Sequence, residues 1–298
     1  MSKTVRLSAF AKVNLCLHVL GKLPGGYHEL RTVFQSISLH DSLELELSSS
    51  REITLEINLE NAGLPLPADS TNLVWRAIDA LKHELRLRHG FRARLTKRIP
   101  VARGLGGGSS DAAAALWGVL RLARRELPLP RLLEIASSLG ADVPFFLFGG
   151  RALGVRRGDE IYPLPDVPAR TLLVVSSRSI GVSTRDGYSW LDRRLTTSSA
   201  TSRMWSFCAL CWSRQSGGLS NDFEAAVFRR HPRLGQIKRR LLQEGAAEAA
   251  LAGSGSAVFG FFRNPAQARR AARAFPDDQV FVARTLSRNS YRGAVLAR

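Results

Sequence analysis

The chain is poor in sulfur: three cysteines and two methionines among 298 residues. Cys16, Cys208 and Cys211 are too few and too scattered for a disulfide framework, which excludes the stapled, secreted class of small domains. Cys208-x-x-Cys211 has no further ligands at a credible spacing to complete a zinc site, and no metal site is expected. Long apolar runs are missing as well, so no stretch approaches the roughly 20 residues of a membrane helix. Lys3 and Arg6 interrupt the N-terminal segment, and no signal-peptide core follows them. These absences point to a soluble protein of a reducing cytoplasm with no membrane partner. Acidic residues are scarce too: 25 stand against 43 Lys and Arg, a formal net charge of +18. Such an excess raises nucleic acid as a partner. Yet aromatics interleaved with basic residues on one sheet face, which that reading needs, are not found. Arg121–Arg124–Arg125, Lys238–Arg239–Arg240 and Arg269–Arg270–Arg273 instead alternate with apolar positions on expected helices, the pattern of solvated helix faces. An anionic small-molecule substrate would benefit from the same field, so no nucleic-acid partner is expected.

What is present is a chain long enough for two domains, with 45% hydrophobic residues to build a core in each. Alternation predicts strands over 4–9, 13–20, Leu43–Leu47, Ile53–Leu59 and Phe91–Thr96. Leu73, Val74, Ala77, Ile78, Leu81 and Leu85 mark one helix face, with Ser70 or Thr71 as its cap and Gly90 as its stop. Further helices are expected through Leu116–Ala123 and Leu132–Leu139, the latter ending at Gly140. A division near Gly149–Gly158 separates residues 1–157 from 158–298. The second part reads as a strand at Leu172–Ser176, a helix over 232–244, strands at Ala247–Leu251 and Ala257–Phe262, a helix capped by Asn264–Pro265, and a last strand at Gln279–Ala283. Residues 193–218 have no clean period and read as a poorly packed segment or a local reading-frame error. Both halves place helices against largely antiparallel sheets, an α+β chain.

Pro100 to Leu116, PVARGLGGGSSDAAAAL, is the most informative stretch. Gly104, Gly106, Gly107 and Gly108 leave the backbone bare enough to curl around an anion. Ser109 and Ser110 are natural N-cap residues, and the alanine run behind them favours a helix. A helix N-terminus opened by such a loop offers free N–H groups and a favourable dipole to phosphate; the ordinary alternative is a plain helix entry. It is not a Walker A loop, since no Lys follows the last glycine, nor a dinucleotide fingerprint. Other motifs are weaker alone. Lys12 in Ala11-Lys12-Val13-Asn14-Leu15 could be a snorkelling edge residue. Gly25-Gly26-Tyr27-His28 could be a turn with an incidental aromatic. Asp142 in Gly140-Ala141-Asp142-Val143-Pro144-Phe145-Phe146 needs a partner or a function in so apolar a stretch, and a helix N-cap would suffice. Leu251-Ala252-Gly253-Ser254-Gly255-Ser256 adds a second glycine turn.

Taken in order, AKVNL, GGYHEL, TNLVWRA, PVARGLGGGSSDAA, GADVPFFLFGG, Asn221-Asp222-Phe223-Glu224 and LAGSGSAVFGFF resemble the GHMP small-molecule kinases. Within them, AKVNL with GGYHEL and GADVPFF is similar to the branch acting on 4-diphosphocytidyl-2-C-methyl-D-erythritol. The resemblance implies a two-domain fold, the N-terminal domain like domain 2 of ribosomal protein S5 and the C-terminal domain ferredoxin-like, with the site in the cleft. It implies ATP and Mg²⁺ as cofactors, a cytidine diphosphate substrate phosphorylated at its C2 hydroxyl, and a monomer or weak homodimer. It makes Asp142 the general base and Lys12 the residue that holds Asp142 and the hydroxyl in register. Asn72, Pro100, Gly104, Leu105, Gly106, Gly107, Gly108, Ser109 and Ser110 would hold the nucleotide, with the serines near phosphate or magnesium and Asn72 on the adenine side. Asn14 would bond the substrate polyol. Tyr27 would stack on the cytosine, His28 would bond its polar edge, and Tyr188 would be the second aromatic of that clamp. The alternatives from outside this branch are a kinase of homoserine, mevalonate or a sugar, and a basic nucleic-acid-binding protein.

Overall fold

The computed structural model describes residues 4–23, 27–60, 65–192 and 218–296. Most of segment 193–218, with Cys208 and Cys211, and also Gly25 and Gly26, lie outside the described residues. The first sheet has seven strands: β1 (Thr4–Lys22), β2 (His28–Ser48), β3 (Ile53–Leu59), β4 (Gly90–Lys97), β5 (Arg151–Arg156), β6 (Glu160–Pro163) and β8 (Ser220–Asn221). Its order is β3-β4-β2-β1-β8, with β5 on β2 and β6 on β5. The two strands expected over 4–9 and 13–20 are one continuous β1. Its register against β2 shifts between Phe10 and Lys12, between Asn14 and Cys16, and between Val19 and Gly21. Each such bulge resets which face a side chain meets. That reset broke the alternation in the sequence, and it leaves every residue from Ala9 to Asn14 buried, Lys12 and Asn14 included.

Helices α1 (Leu73–Glu84), α2 (Gly107–Ala123), α3 (Leu129–Leu139) and α4 (Val143–Phe148) belong with this sheet. The stripe on α1 buries Val74, Ala77, Ile78 and Leu81. They join Leu7, Leu45, Phe91, Leu116 and Phe145 in one core, where each large apolar side chain contributes about 1.5–3 kcal/mol. The cap of α1 is Asn72, not Ser70 or Thr71: Asn72 Oδ1 accepts the Val74 amide at 2.9 Å. Thr71 turns its hydroxyl to Asp69 at 2.6 Å instead.

The second sheet runs β11 (Asp278–Arg284), β7 (Thr171–Ser177), β10 (Val258–Phe262), β9 (Glu248–Leu251), with all neighbours antiparallel. Helices α5 (Thr184–Asp192), α6 (Glu224–Arg230) and α7 (Pro232–Gln243) fall between β7 and β9, and α8 (Pro265–Ala272) between β10 and β11. This is the β-α-β-β-α-β order of a ferredoxin-like sheet. Asn264 caps α8 through the Gln267 amide at 2.9 Å. A final helix, α9 (Arg288–Leu296), returns to the first core with Tyr291 and Val295. The turn at Arg157–Gly158 sits inside the β5–β6 hairpin, so β6 still belongs to the first sheet. A separate core containing Ala11, Val13, Ile37, Leu105, Val174 and Phe259 joins the two sheets. Among the described residues no helix is long and apolar enough to cross a membrane. The basic clusters on α2, α7 and α8 lie largely at the surface, with Arg121, Arg239, Arg269 and Arg270 exposed.

Candidate active site

A cavity of about 1030 Å³ opens where β1, the glycine loop, α4 and α5 meet. The loop is shaped by its glycines. Gly104 has φ +76° and Gly106 φ +74°, and a Cβ on Gly104 would lie 1.9 Å from the Ala252 carbonyl oxygen. A Cβ on Gly106 would meet the Phe146 ring at 2.7 Å. Helix α2 begins at Gly107, with left-handed Gly106 as its N-cap and no side-chain cap bond. The serines are therefore not caps: they fall at the third and fourth helical positions, because the left-handed turn comes earlier than serine chemistry suggested. The consequence is useful, since a side-chain cap would occupy N–H groups that here are left free at the helix N-terminus. Ser109 lies on the cavity wall. Ser110 does not; its hydroxyl is buried without a hydrogen-bond partner.

Lys12 reaches this loop from the bulged part of β1. Its amide donates to the Leu105 carbonyl at 2.9 Å, and its Nζ donates to Asn14 Oδ1 at 2.8 Å. Asn14 Nδ2 in turn donates to Thr32 Oγ1 at 2.7 Å, and Thr32 donates to the Cys16 carbonyl at 2.8 Å. The ammonium is thus aimed by a chain of buried bonds, and it stands 3.5 Å from Asp142 Oδ2. Asp142 occupies the N-cap position of α4 yet makes no cap bond. Its carboxylate is 34% exposed while the Lys12 side chain is 4% exposed. A carboxylate presented this way, beside a buried cation and a phosphate-shaped loop, is equipped to take a proton from an alcohol.

The far wall is aromatic. His28 stacks on Tyr188 with ring centroids 4.5 Å apart and 18° between planes. Tyr188 meets Phe223 edge-on at 5.0 Å. Burial, with a smaller contribution from the Asp142 charge, raises the Tyr188 hydroxyl well above its ordinary pKa. Tyr27 is exposed, with the Arg157 guanidinium 4.8 Å from its ring centre. Every nominated residue except Ser110 lines the one cavity: Lys12, Asn14, Tyr27, His28, Asn72, Pro100, Gly104 to Ser109, Asp142 and Tyr188.

Residues 72–150 match the family model described as GHMP kinases N terminal domain, and residues 209–279 match GHMP kinases C terminal. A 4-diphosphocytidyl-2-C-methyl-D-erythritol kinase of Solibacter usitatus is 46% identical over 98% of this chain and 92% of its own. The chain belongs to the GHMP kinases. A second relative with the same description, from Geobacter sulfurreducens, is 41% identical over 91% of this GHMP kinase and 94% of its own length. A crystal structure of 4-(cytidine 5'-diphospho)-2C-methyl-D-erythritol kinase superposes with a TM-score of 0.76 at 32% identity, covering 94% and 99% of the two chains. A homoserine kinase from Cytophaga hutchinsonii shares the fold with a TM-score of 0.74 at 19% identity, covering 96% of each chain.

The geometry of this GHMP kinase also holds charged groups that the motifs did not announce. Lys97, at the end of β4, donates to Asp41 of β2 and to Asp111 of α2, the latter at 2.6 Å. All three are buried. Asp41 Oδ1 also accepts the amides of Arg98 and Ile99, at 2.5 and 2.8 Å. Asp111 is pushed up to about 8 by burial, Lys97 opposing, with a further push from the charge of Asp41. Its Oδ1 has no partner. Lys97 is raised despite burial, because two carboxylates surround it. Asp111 sits in an alanine run, the same oddity that marked Asp142, and that was the available signal. Asp41 sits in an alternating strand and Lys97 at a strand end, where charge is unremarkable. The Asn221-Asp222-Phe223-Glu224 motif proves to be a junction. Asn221 donates to the Leu251 and Gly253 carbonyls at 2.9 and 2.7 Å, Asp222 accepts the Val19 amide at 2.8 Å, and Glu224 pairs with Lys238 at 2.6 Å. It joins β1 to the second glycine turn, whose Gly253 and Ser254 complete the cavity wall.

Proposed function

We propose that this protein transfers the γ-phosphoryl group of ATP to the C2 hydroxyl of 4-diphosphocytidyl-2-C-methyl-D-erythritol, in the non-mevalonate route to isoprenoid precursors. The observation that carries the reading is one cavity uniting three features: the open glycine loop, the Lys12–Asp142 pair at 3.5 Å, and an aromatic wall of Tyr27, His28 and Tyr188. Homoserine, mevalonate and simple sugars carry no base for that wall to hold.

In this reading Asp142 accepts the hydroxyl proton as the oxygen attacks. Lys12 stays close enough to hold Asp142 in register and to offset charge on the transferring group. Asn14, its oxygen engaged by Lys12 and one amide hydrogen by Thr32, offers its second amide hydrogen to the polyol. The free N–H groups at the start of α2 and the Ser109 hydroxyl receive the phosphates, while Asn72 and Pro100 border the nucleoside. A cytosine entering between Tyr27 and Tyr188 displaces His28 from the Tyr188 face and leaves it to bond the polar edge of the base.

Among the described residues no group of three or more His, Cys, Asp or Glu side chains could cage a metal. Mg²⁺ arriving on the nucleotide keeps several waters and needs only one or two carboxylates plus phosphate oxygens; Asp142 and Asp111 are carboxylates on the wall. When bound it would neutralise charge on the β- and γ-phosphoryl oxygens. We further take the enzyme to be cytoplasmic, a monomer or weak homodimer, with its parts divided beyond β6 rather than after Arg157, since β6 pairs with β5 in the first sheet. The test is ADP release from purified protein with MgATP, comparing the cytidyl substrate with homoserine and mevalonate. Turnover on the cytidyl compound alone is expected; turnover on either other alcohol would sink the aromatic-wall argument.

A further inference from the structure

Arg103 stands immediately before Gly104 in the glycine loop, and it is 8% exposed. The preceding residue, Ala102, holds a left-handed φ of +55°, a conformation that a non-glycine residue adopts only when its surroundings enforce it. This turn sends the Arg103 side chain out of the first unit and into the second. There Nη1 donates to the Ile180 carbonyl and to Ser256 Oγ, the latter at 3.3 Å. Ser256 donates to the same Ile180 carbonyl at 2.5 Å. The Arg103 carbonyl accepts the Ala257 amide at 3.1 Å. A Cβ on Gly181 would lie 2.9 Å from Nη1, so the segment closes on the guanidinium without room to spare. All of these partners are carbonyl or hydroxyl oxygens; among the described residues Arg103 makes no ion pair with a carboxylate. Burial alone lowers its pKa.

The segment it grips leads directly into a substrate wall. Ile180 is followed by buried Val182 and by Ser183, which caps α5 through the Asp186 amide at 3.1 Å. Helix α5 carries Tyr188, stacked on His28. One side chain therefore links the loop that faces the nucleotide phosphates to the helix that faces the other substrate. A planar guanidinium suits this role, because its donors have a fixed geometry that an ammonium on a flexible stem lacks.

We propose that Arg103 is a positioning residue that couples the two subsites: order imposed on the glycine loop by nucleotide is passed through the Ile180 carbonyl to α5 and the nucleobase wall. The inference rests on the cytidyl-substrate reading. Coupling of this kind is reciprocal and is measured as a ratio of affinities. It is tested by calorimetric titration of CDP into the full-length protein, with and without saturating ADP. Wild type is expected to bind CDP at least ~5-fold more tightly with ADP present, at the low end of ordinary coupling. Arg103→Met should bring that ratio close to one, and Arg103→Lys should restore part of it. A destabilised variant loses active sites without changing the ratio, so the ratio separates positioning from mere support of the fold. A wild type whose CDP affinity ignores or falls with ADP would overturn the proposal, as would an unchanged ratio in Arg103→Met. No CDP binding by wild type at all would overturn the substrate reading and the proposal with it.

Discussion

Two lysine–aspartate arrangements share the cavity, and they have been put to opposite use. Lys97 is enclosed: it donates to Asp41 and to Asp111 and is itself 2% exposed. Lys12 faces a single carboxylate at 3.5 Å, and that carboxylate is one-third open to solvent. The first arrangement satisfies its charges internally and spans three elements of the fold. The second leaves one partner, Asp142, open on the cavity wall. The same contrast recurs among the aromatics, where Tyr188 is covered by His28 and Phe223 while Tyr27 stands 56% exposed. Openness, not residue type, separates the two lysine–aspartate arrangements.

Removing the open carboxylate should therefore affect rate far more than stability. Asp142→Asn is expected to lower turnover by roughly 10²–10⁴, the range for a lost general base, with little change in the denaturant midpoint. Unchanged turnover would erase the contrast at its functional end. Breaking the closed cluster should do the reverse. Lys97→Met strips the buried Asp41 carboxylate of its cation, and chemical unfolding should show a loss of about 3–5 kcal/mol; a variant as stable as wild type would mean the cluster holds nothing. Tyr27→Ala tests the open aromatic. Its KM for the cytidyl substrate should rise by the equivalent of about 1–3 kcal/mol, the worth of one stacked base, while the KM for ATP stays put.

The smallest effect sharpens the comparison most. In the folded protein Asp111 keeps its proton up to about pH 8, while the unfolded chain loses it near the ordinary 3.8. The unfolded state thus binds fewer protons across that interval, and the contribution of Asp111 to stability declines as pH rises through it. Asp111→Asn should flatten the pH dependence of the melting temperature between those limits. A variant with the wild-type slope would place the titration elsewhere.

The site was legible where its residues are neighbours in the chain. The glycine loop, Lys12 with Asn14, and Asp142 ahead of two phenylalanines each carry a local oddity: repeated glycine, or charge in apolar surroundings. Most long strands and α1, α3, α7 and α8 followed from periodicity. Three kinds of feature escaped. Bulges in β1 conceal a single strand, because one extra residue inverts the alternation on which the reading depends. Short helices such as α4 and α6 are held by tertiary contacts and give little periodic signal over six or seven residues. The Lys97 cluster and the reach of Arg103 depend on partners 56 and 77 positions away, a separation that no local pattern encodes.

The return of α9 to the first core also bears on how the protein is made. Tyr291 donates to the Phe146 carbonyl at 2.6 Å, inside the short helix that begins beside Asp142, and its ring fills the space a side chain on Gly149 would need. A ribosome delivers the N-terminal residues first, but this part of their core is supplied by a residue 145 positions after its partner. The first core cannot finish packing until residues 288–296 have been made. Losing those residues would leave every residue on the cavity wall in place and still loosen the helix behind Asp142.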